Sequence, residues 1–313
     1  MTLVSLDALT HRRRRFGIPQ TVAGLRQRSQ ILNKYFFGEN KTFAVVRDTG
    51  TPHKLEAPVL RRVRDELAIL ALSQLGYAHR RWMAVPSIVG ERPVVRRSYL
   101  AIDSATGDYT QPTATVGAFA TLALNAQWLR FQRRGFFYNL LPILRGHPRL
   151  TKEWRADLWN AAVLMGLSQT SFDVPQAFLW NMIALEVLLT RQGDTHTDAL
   201  PARAEALLGW VWEWKASNVD EQIRDAYLKR CLLVHRGQRE VIAPKDLLLT
   251  DDLVLNLLWN IVAHINLFPS KDAIIDFSRR VEAERTLGVK PRVRPKTLTF
   301  LKPSYRDEDY RLG

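Results

Sequence analysis

The sequence predicts a mainly α protein, in which a small basic α/β unit precedes an antiparallel helical bundle. Three observations predict it. From about residue 116 onward, apolar residues recur at helical spacing between short breaks rich in Gly and Pro. Before that point, short apolar runs alternate with turn residues around one long helical pattern. The charge divides the same way: residues 1–150 carry +14, residues 151–287 carry −4, and residues 288–313 carry +4. This partition suggests four segments, an α/β domain at 1–115, a helical connector at 116–150, the bundle at 151–287 and a basic, Pro-containing tail at 288–313.

In the first segment, residues 1–36 read as helical and basic, with Arg12, Arg13, Arg14 and Arg15 in one block. Such a block can serve as an arm on a polyanion or as a solvated helix face, and it marks the candidate nucleic-acid contact. Phe43 to Arg47 reads as a strand closed by Asp48-Thr-Gly50. Ala57 to Arg81 reads as a helix, with Pro58 in its first turn. Val94-Val95 and Tyr99 to Ile102 read as strand, followed by a turn at Asp103 to Asp108.

The later helices are expected at 116–134, 151–169, 175–191, 199–217, 219–235, 251–267 and 271–286. The breaks between them include Gly135, Pro175, Gly193, Gly237, Pro244 and Pro269. Six helices with short connections after residue 150 suggest an antiparallel bundle. The tail beyond Val289 contains Pro291, Pro295 and Pro303 and is expected to be extended and peripheral.

Several chemistries lack their signatures. The chain has no phosphate-binding GxxxxGKS/T loop, no GxGxxG, no HExxH and no GxSxG. Cys231 is the sole cysteine, so neither an intrachain disulfide nor a zinc–cysteine cluster can form. His196 has acids nearby, Asp194 and Asp198, but this stretch reads better as a helix N-terminus than as a metal site. Neither a metal nor a cofactor is expected. No apolar run reaches the length of a membrane helix, and the basic block follows rather than precedes the first apolar residues. A cytoplasmic protein without membrane contact is the expectation.

The most informative stretch is Val219 to Gly237. On a helix, Ile223, Tyr227, Arg230 and Val234 fall within about 60° of one another. Arg230 thus takes an apolar position on the stripe expected to face the core. A guanidinium there needs an acidic partner, and Glu186 is one candidate. A different pairing, Glu186 with Arg203, is also open. His235 follows near the helix end, with Gly237 placed as the cap. Helix C-termini favour cationic side chains, and histidine titrates near neutral pH, which suits acid–base work.

This Arg-x4-His pair, in the frame Ile223-x3-Tyr227-x2-Arg230-x3-Val234-His235-x-Gly237, resembles the HEPN superfamily and is closest to its Apea-like branch. The upstream segments Trp180 to Leu189, with Glu186 in an apolar run, and Arg203 to Leu208 resemble the preceding core helices of that branch. The resemblance covers roughly residues 151–287. It implies a helical bundle that forms a homodimer, with Arg230 and His235 as catalytic residues and Tyr227, Glu186, Arg203 and Arg236 supporting them. It implies metal-independent endoribonuclease activity on RNA in antiphage abortive or toxin–antitoxin systems, with an antitoxin or a phage-derived trigger as a further partner. The competing expectation is a non-catalytic, dimeric nucleic-acid-binding module.

Overall fold

Three helices after residue 150 begin where a side chain accepts a free N–H of the first turn. The computed structural model describes residues 2–5, 42–46, 48–74, 96–98, 101–102, 105–106, 109–110, 113–115, 124–134, 136–171, 173–209, 218–290 and 292–300. The block Arg12 to Arg15, residues 75–81, residues 116–123 and the tryptophans of 210–214 lie outside these described residues. The chain divides into two compact units, Met1–Glu66 and Leu67–Gly313.

In the first unit, β1 (Thr2–Ser5) pairs antiparallel with β2 (Thr42–Val45), Thr2 opposite Val45. Residues 2–5 are therefore strand, not the helix expected from their surroundings. α1 (Pro52–Leu72) starts in this unit and crosses the boundary. It begins one and a half turns earlier than expected, at Pro52, whose fixed φ and missing N–H suit a first turn. The Thr51 carbonyl accepts from Lys54 and Leu55, and Pro58 lies inside the helix rather than at its start.

In the second unit, β3 (Arg96–Ser98) pairs with β6 (Thr113–Thr115), and β4 (Ala101–Ile102) with β5 (Tyr109–Thr110), both antiparallel. The rest is helical. α2 (Ala126–Arg134) starts where Asn125 accepts from the Trp128 amide at 2.9 Å, so residues 124–125 are not part of the long helix expected there. α3 (Phe136–Gly146) follows, burying Phe137, Leu140, Ile143 and Leu144 on one face.

α4 (Lys152–Thr170) is capped by Thr151, α5 (Val174–Leu189) by Asp173, and α9 (Lys271–Thr286) by Ser270, each side chain accepting an amide of the first turn. Between them lie α6 (His196–Leu208), α7 (Val219–Arg236) and α8 (Pro244–Ala263). α8 starts seven residues earlier than expected. Pro244 opens this helix instead of breaking the chain, and Asp246 reaches back to accept from the Ala243 amide at 2.8 Å.

α5 and α8 form the centre. α5 packs against α4, α6, α7, α8 and α9, and α8 also packs against α3, α4 and α6. Both are buried nearly all round, as central helices are. Buried polar groups bridge them: Asp251 of α8 accepts from Asn181 of α5 at 2.5 Å and from Gln169 of α4 at 2.9 Å. The C-terminal segment is not peripheral. Leu298 is buried, and Asn260 both donates to and accepts from the Thr299 backbone at 2.8 Å. Residues 292–300, bent by a turn in which the Leu298 amide donates to the Pro295 carbonyl, thus lie on the bundle.

At Gly166, α4 passes close against the backbone of α1. A Cβ there would sit 2.0 Å from the Ala68 carbonyl oxygen. Since the obstacle is backbone, Gly166→Ala is expected to destabilise the protein by about 1–3 kcal/mol, despite the better helix propensity of alanine. Urea denaturation checks this, and an unchanged midpoint would contradict the contact. No described helix is long and apolar enough to cross a membrane.

Candidate active site

α7 carries the candidate residues, and its ends are sharply defined. Asn218 adopts a left-handed conformation before it, and Asp220 and Glu221 occupy the first turn. Gly237, at φ 66°, closes it with its N–H directed at the last carbonyls, while His235 and Arg236 occupy the last turn. Acids at the N-terminus and bases at the C-terminus both oppose the helix dipole. The expected cap at Gly237 is present.

α7 lies at the edge of the bundle against α5 and α6, and only Ile223 and Ala226 are buried on it. Tyr227 and Arg230 are half-buried, but Val234, expected on the same buried stripe, is 47% exposed. Periodicity identifies the inward face of a helix. It does not say how far along the helix its neighbours extend.

Arg230 faces α5 and meets Glu186. Its Nη2 donates to Glu186 Oε2 at 3.1 Å. Nε lies 3.0 Å from Oε1 but does not point along that contact, so it is an ion pair without hydrogen-bond geometry. The two side chains keep 20% and 16% of their exposure. Arg230 Cζ also sits 5.9 Å from the centre of the Tyr227 ring, within cation–π range. The His196 ring stacks on Tyr227, 5.6 Å between centres and 8° from parallel. Burial, the Cys231 thiol and the Glu186 carboxylate raise the Tyr227 pKa, with Arg230 opposing, so the phenol stays protonated and can donate a hydrogen bond. Local sequence places His196 in a helix N-cap region. Its stacking partner is 31 positions away in the chain, and nothing local signals the contact.

Arg203 is not part of this cluster. It is buried and donates to the Leu189 carbonyl and, at 2.6 Å, to Asp194. The pairing of Glu186 with Arg203 is therefore replaced by two separate pairs, Glu186 with Arg230 and Asp194 with Arg203. The second ties the α5–α6 connection to α6. Asp194 is consequently committed to Arg203 and to the Arg191 amide at 2.8 Å. Among the described residues, no group of three His, Cys, Asp or Glu side chains is placed to hold a metal ion.

The hydrogen bond from Arg203, helped by the Arg191 amide, lowers the Asp194 pKa to about 2 against the opposing effect of burial. A carboxyl with a lower pKa folded than unfolded stabilises the fold above its unfolded value, near 4, and loses that contribution as pH falls toward about 2. Asp194→Asn is expected to lower stability at pH 6 and to flatten its decline between pH 4 and pH 2. Urea midpoints across that range test this, and an equally steep decline in the variant would contradict it.

His235 and Arg236 are exposed, and among the described residues neither makes a hydrogen bond or ion pair. On an ideal helix, five positions separate Arg230 and His235 by about 140°. The structure thus brings Tyr227, Arg230 and Glu186 together with His196, and leaves His235 and Arg236 on a different face of the same helix. Comparison with known proteins finds no matching family model, no matching curated protein and no matching solved structure.

Proposed function

We propose that this chain is a metal-independent endoribonuclease of the HEPN type, acting as a homodimer in antiphage defence or a toxin–antitoxin-like system. Residues 151–287 form its nuclease domain, 116–150 connect it to a basic α/β domain at 1–115 that contacts RNA, and 288–313 form a basic tail. The observation that carries the reading is the state of Arg230. Glu186 engages its Nη2 edge, while Nη1 makes no hydrogen bond among the described residues. A guanidinium held by one carboxylate keeps a donor to spare for a phosphate.

In this mechanism His235 takes the proton from a ribose 2′-OH, and the 2′-oxygen attacks the adjacent phosphorus. Arg230 stabilises the charge on the phosphoryl oxygens. The partner's His235 protonates the departing 5′-oxygen. The products are a 2′,3′-cyclic phosphate and a 5′-hydroxyl. Glu186 holds Arg230, and Tyr227 packs against its guanidinium. The wide angle between Arg230 and His235 supports a groove formed by two copies over a site within one.

The ion pair itself favours a second reading. Because Glu186 neutralises Arg230, the pair could be structural and the protein a non-catalytic, nucleic-acid-binding dimer. One experiment separates the two. Purified protein is incubated with RNA, with its 2′-deoxy counterpart, and with excess EDTA. Cleavage of RNA alone, unaffected by EDTA and leaving cyclic phosphate ends, supports the nuclease. Retention of uncut RNA, with and without cell extract from phage-infected cells, supports the binding module.

A further inference from the structure

One stretch of the second unit concentrates positive charge without neutralising it. Residues 109–152 contain six Lys or Arg and no Asp or Glu. The charged part forms α2, α3 and the start of α4, with α3 packed against both of the others. Arg130 and Arg133 are exposed on α2, Arg145 in the last turn of α3, Arg149 in the turn that follows, and Lys152 at the start of α4. Arg155, also in α4, reaches back over that turn. Its Nη1 lies 3.6 Å from where a Cβ on Gly146 would stand. Among the described residues none of these six cations meets a carboxylate. Arg149 donates to the Asn266 side-chain oxygen at 3.0 Å, a neutral partner that leaves the charge in place.

Elsewhere on this unit acids hold the cations. Lys229 lies between Asp225 and Asp246, and Lys271 meets Asp157 at 3.0 Å. Asp157, two residues past Arg155, is thereby taken, and Glu153 is the only acid from 109 to 155. Lys152 and Arg155 also stand at the positive end of the α4 dipole, where a cation is disfavoured and a bound anion gains. Five of the six cations are arginines, whose planar forks fit phosphate oxygens. On α3, Tyr138 stands seven residues before Arg145 and so lies on nearly the same line, about 10 Å away along the axis. Tyr138 is 53% exposed, and among the described residues its ring and hydroxyl have no partner. An exposed ring beside phosphate-binding arginines offers an unpaired base a stacking face. A membrane would call for a broad apolar stripe as well. Here the large exposed apolar side chains are Leu129 and Tyr138, on different helices.

We propose that α2, α3 and the start of α4 form a docking surface for single-stranded RNA, with phosphates on the arginines and a base on Tyr138. This rests on RNA as the ligand of the preceding reading, but not on cleavage. It places binding on the connector, which that reading used only as a link.

The test uses the full chain carrying His235→Ala, so that cutting cannot erode the signal. Its binding to a fluorescent single-stranded RNA in EDTA is followed by anisotropy over a range of salt. Adding Arg133→Gln, Arg145→Gln and Lys152→Gln together is expected to weaken binding at least about tenfold. The slope of log affinity against log salt should fall by about 2, near 0.7 for each lost phosphate contact. Tyr138→Ala should weaken binding about fivefold or more with the slope unchanged, and Tyr138→Phe should bind as the parent does. Changing three other exposed cations to Gln, Lys245, Arg280 and Lys290, removes the same charge and should leave affinity within about twofold. Circular dichroism should not change, because every substituted side chain is exposed. If the triple variant loses helicity, the three single variants carry the test. Absence of RNA binding, undiminished affinity in the Arg133, Arg145 and Lys152 variant, or an equal loss in the comparison variant would overturn the proposal. So would a parent that binds phosphatidylserine vesicles and not RNA. Undiminished affinity in Tyr138→Ala would overturn the stacking contact. RNA binding by a wild type that never cuts it would overturn the nuclease reading and leave this surface standing.

Discussion

His235→Ala is expected to reduce metal-independent RNA cleavage by roughly 10²–10⁴-fold, the usual loss on removing a general acid–base group. The fold should survive, because His235 is exposed and makes no hydrogen bond or ion pair among the described residues. Its thermal midpoint should therefore match wild type within the small range typical of surface substitutions. In a two-copy site, both proton transfers use the same residue number, so one substitution removes the acid and the base together. Mixed dimers of wild-type and variant chains would then keep little activity. Cleavage kinetics on a defined RNA, followed in EDTA, measure the effect. A variant that cuts RNA as fast as wild type would remove His235 from the mechanism and leave Arg230 without its proposed partner.

Glu186→Ala is expected to be the most damaging single change near the site, costing about 2–4 kcal/mol of stability. The figure is set somewhat below that for a fully buried pair because both side chains retain some exposure. The loss comes less from the missing attraction than from the Arg230 guanidinium left half-buried with no counter-charge. The double substitution Glu186→Leu with Arg230→Met should regain much of that stability, since it removes both charges and keeps apolar volume. It should not regain cleavage. Urea denaturation gives the stability of each variant, and the RNA assay gives the activity. Full activity in the stable double variant would show that Arg230 serves the fold alone. Recovery of stability without activity assigns it a role in the reaction as well.

Much of the bundle was legible locally. Ser270 and the following apolar spacing define α9 at the bounds expected from the sequence, Lys271 to Thr286. α7 likewise starts at the expected residue and stops one residue beyond the expected end, because Gly237 can take the left-handed conformation that terminates a helix. Spacing misplaces a helix end where one residue type has two uses. Pro244 can interrupt a chain or open a helix, and only the neighbouring Asp246, reaching back to Ala243, decides for opening. Asn125 lies inside a longer helical pattern, yet its side chain caps α2.

The sequence by itself determined the helical character of residues 151–287, most of the helix ends there, and the presence of an arginine on the inward stripe of α7. These depend on interactions between residues a few positions apart, which spacing records directly. The tertiary structure alone decided that Glu186, 44 positions away, holds Arg230. It also decided that Asp194 takes Arg203, that His196 lies on Tyr227, and that the tail buries Leu298. Apolar periodicity states which face of each helix turns inward. The crossing angles and offsets between helices then choose which inward residues meet, and those depend on the packing of the whole core.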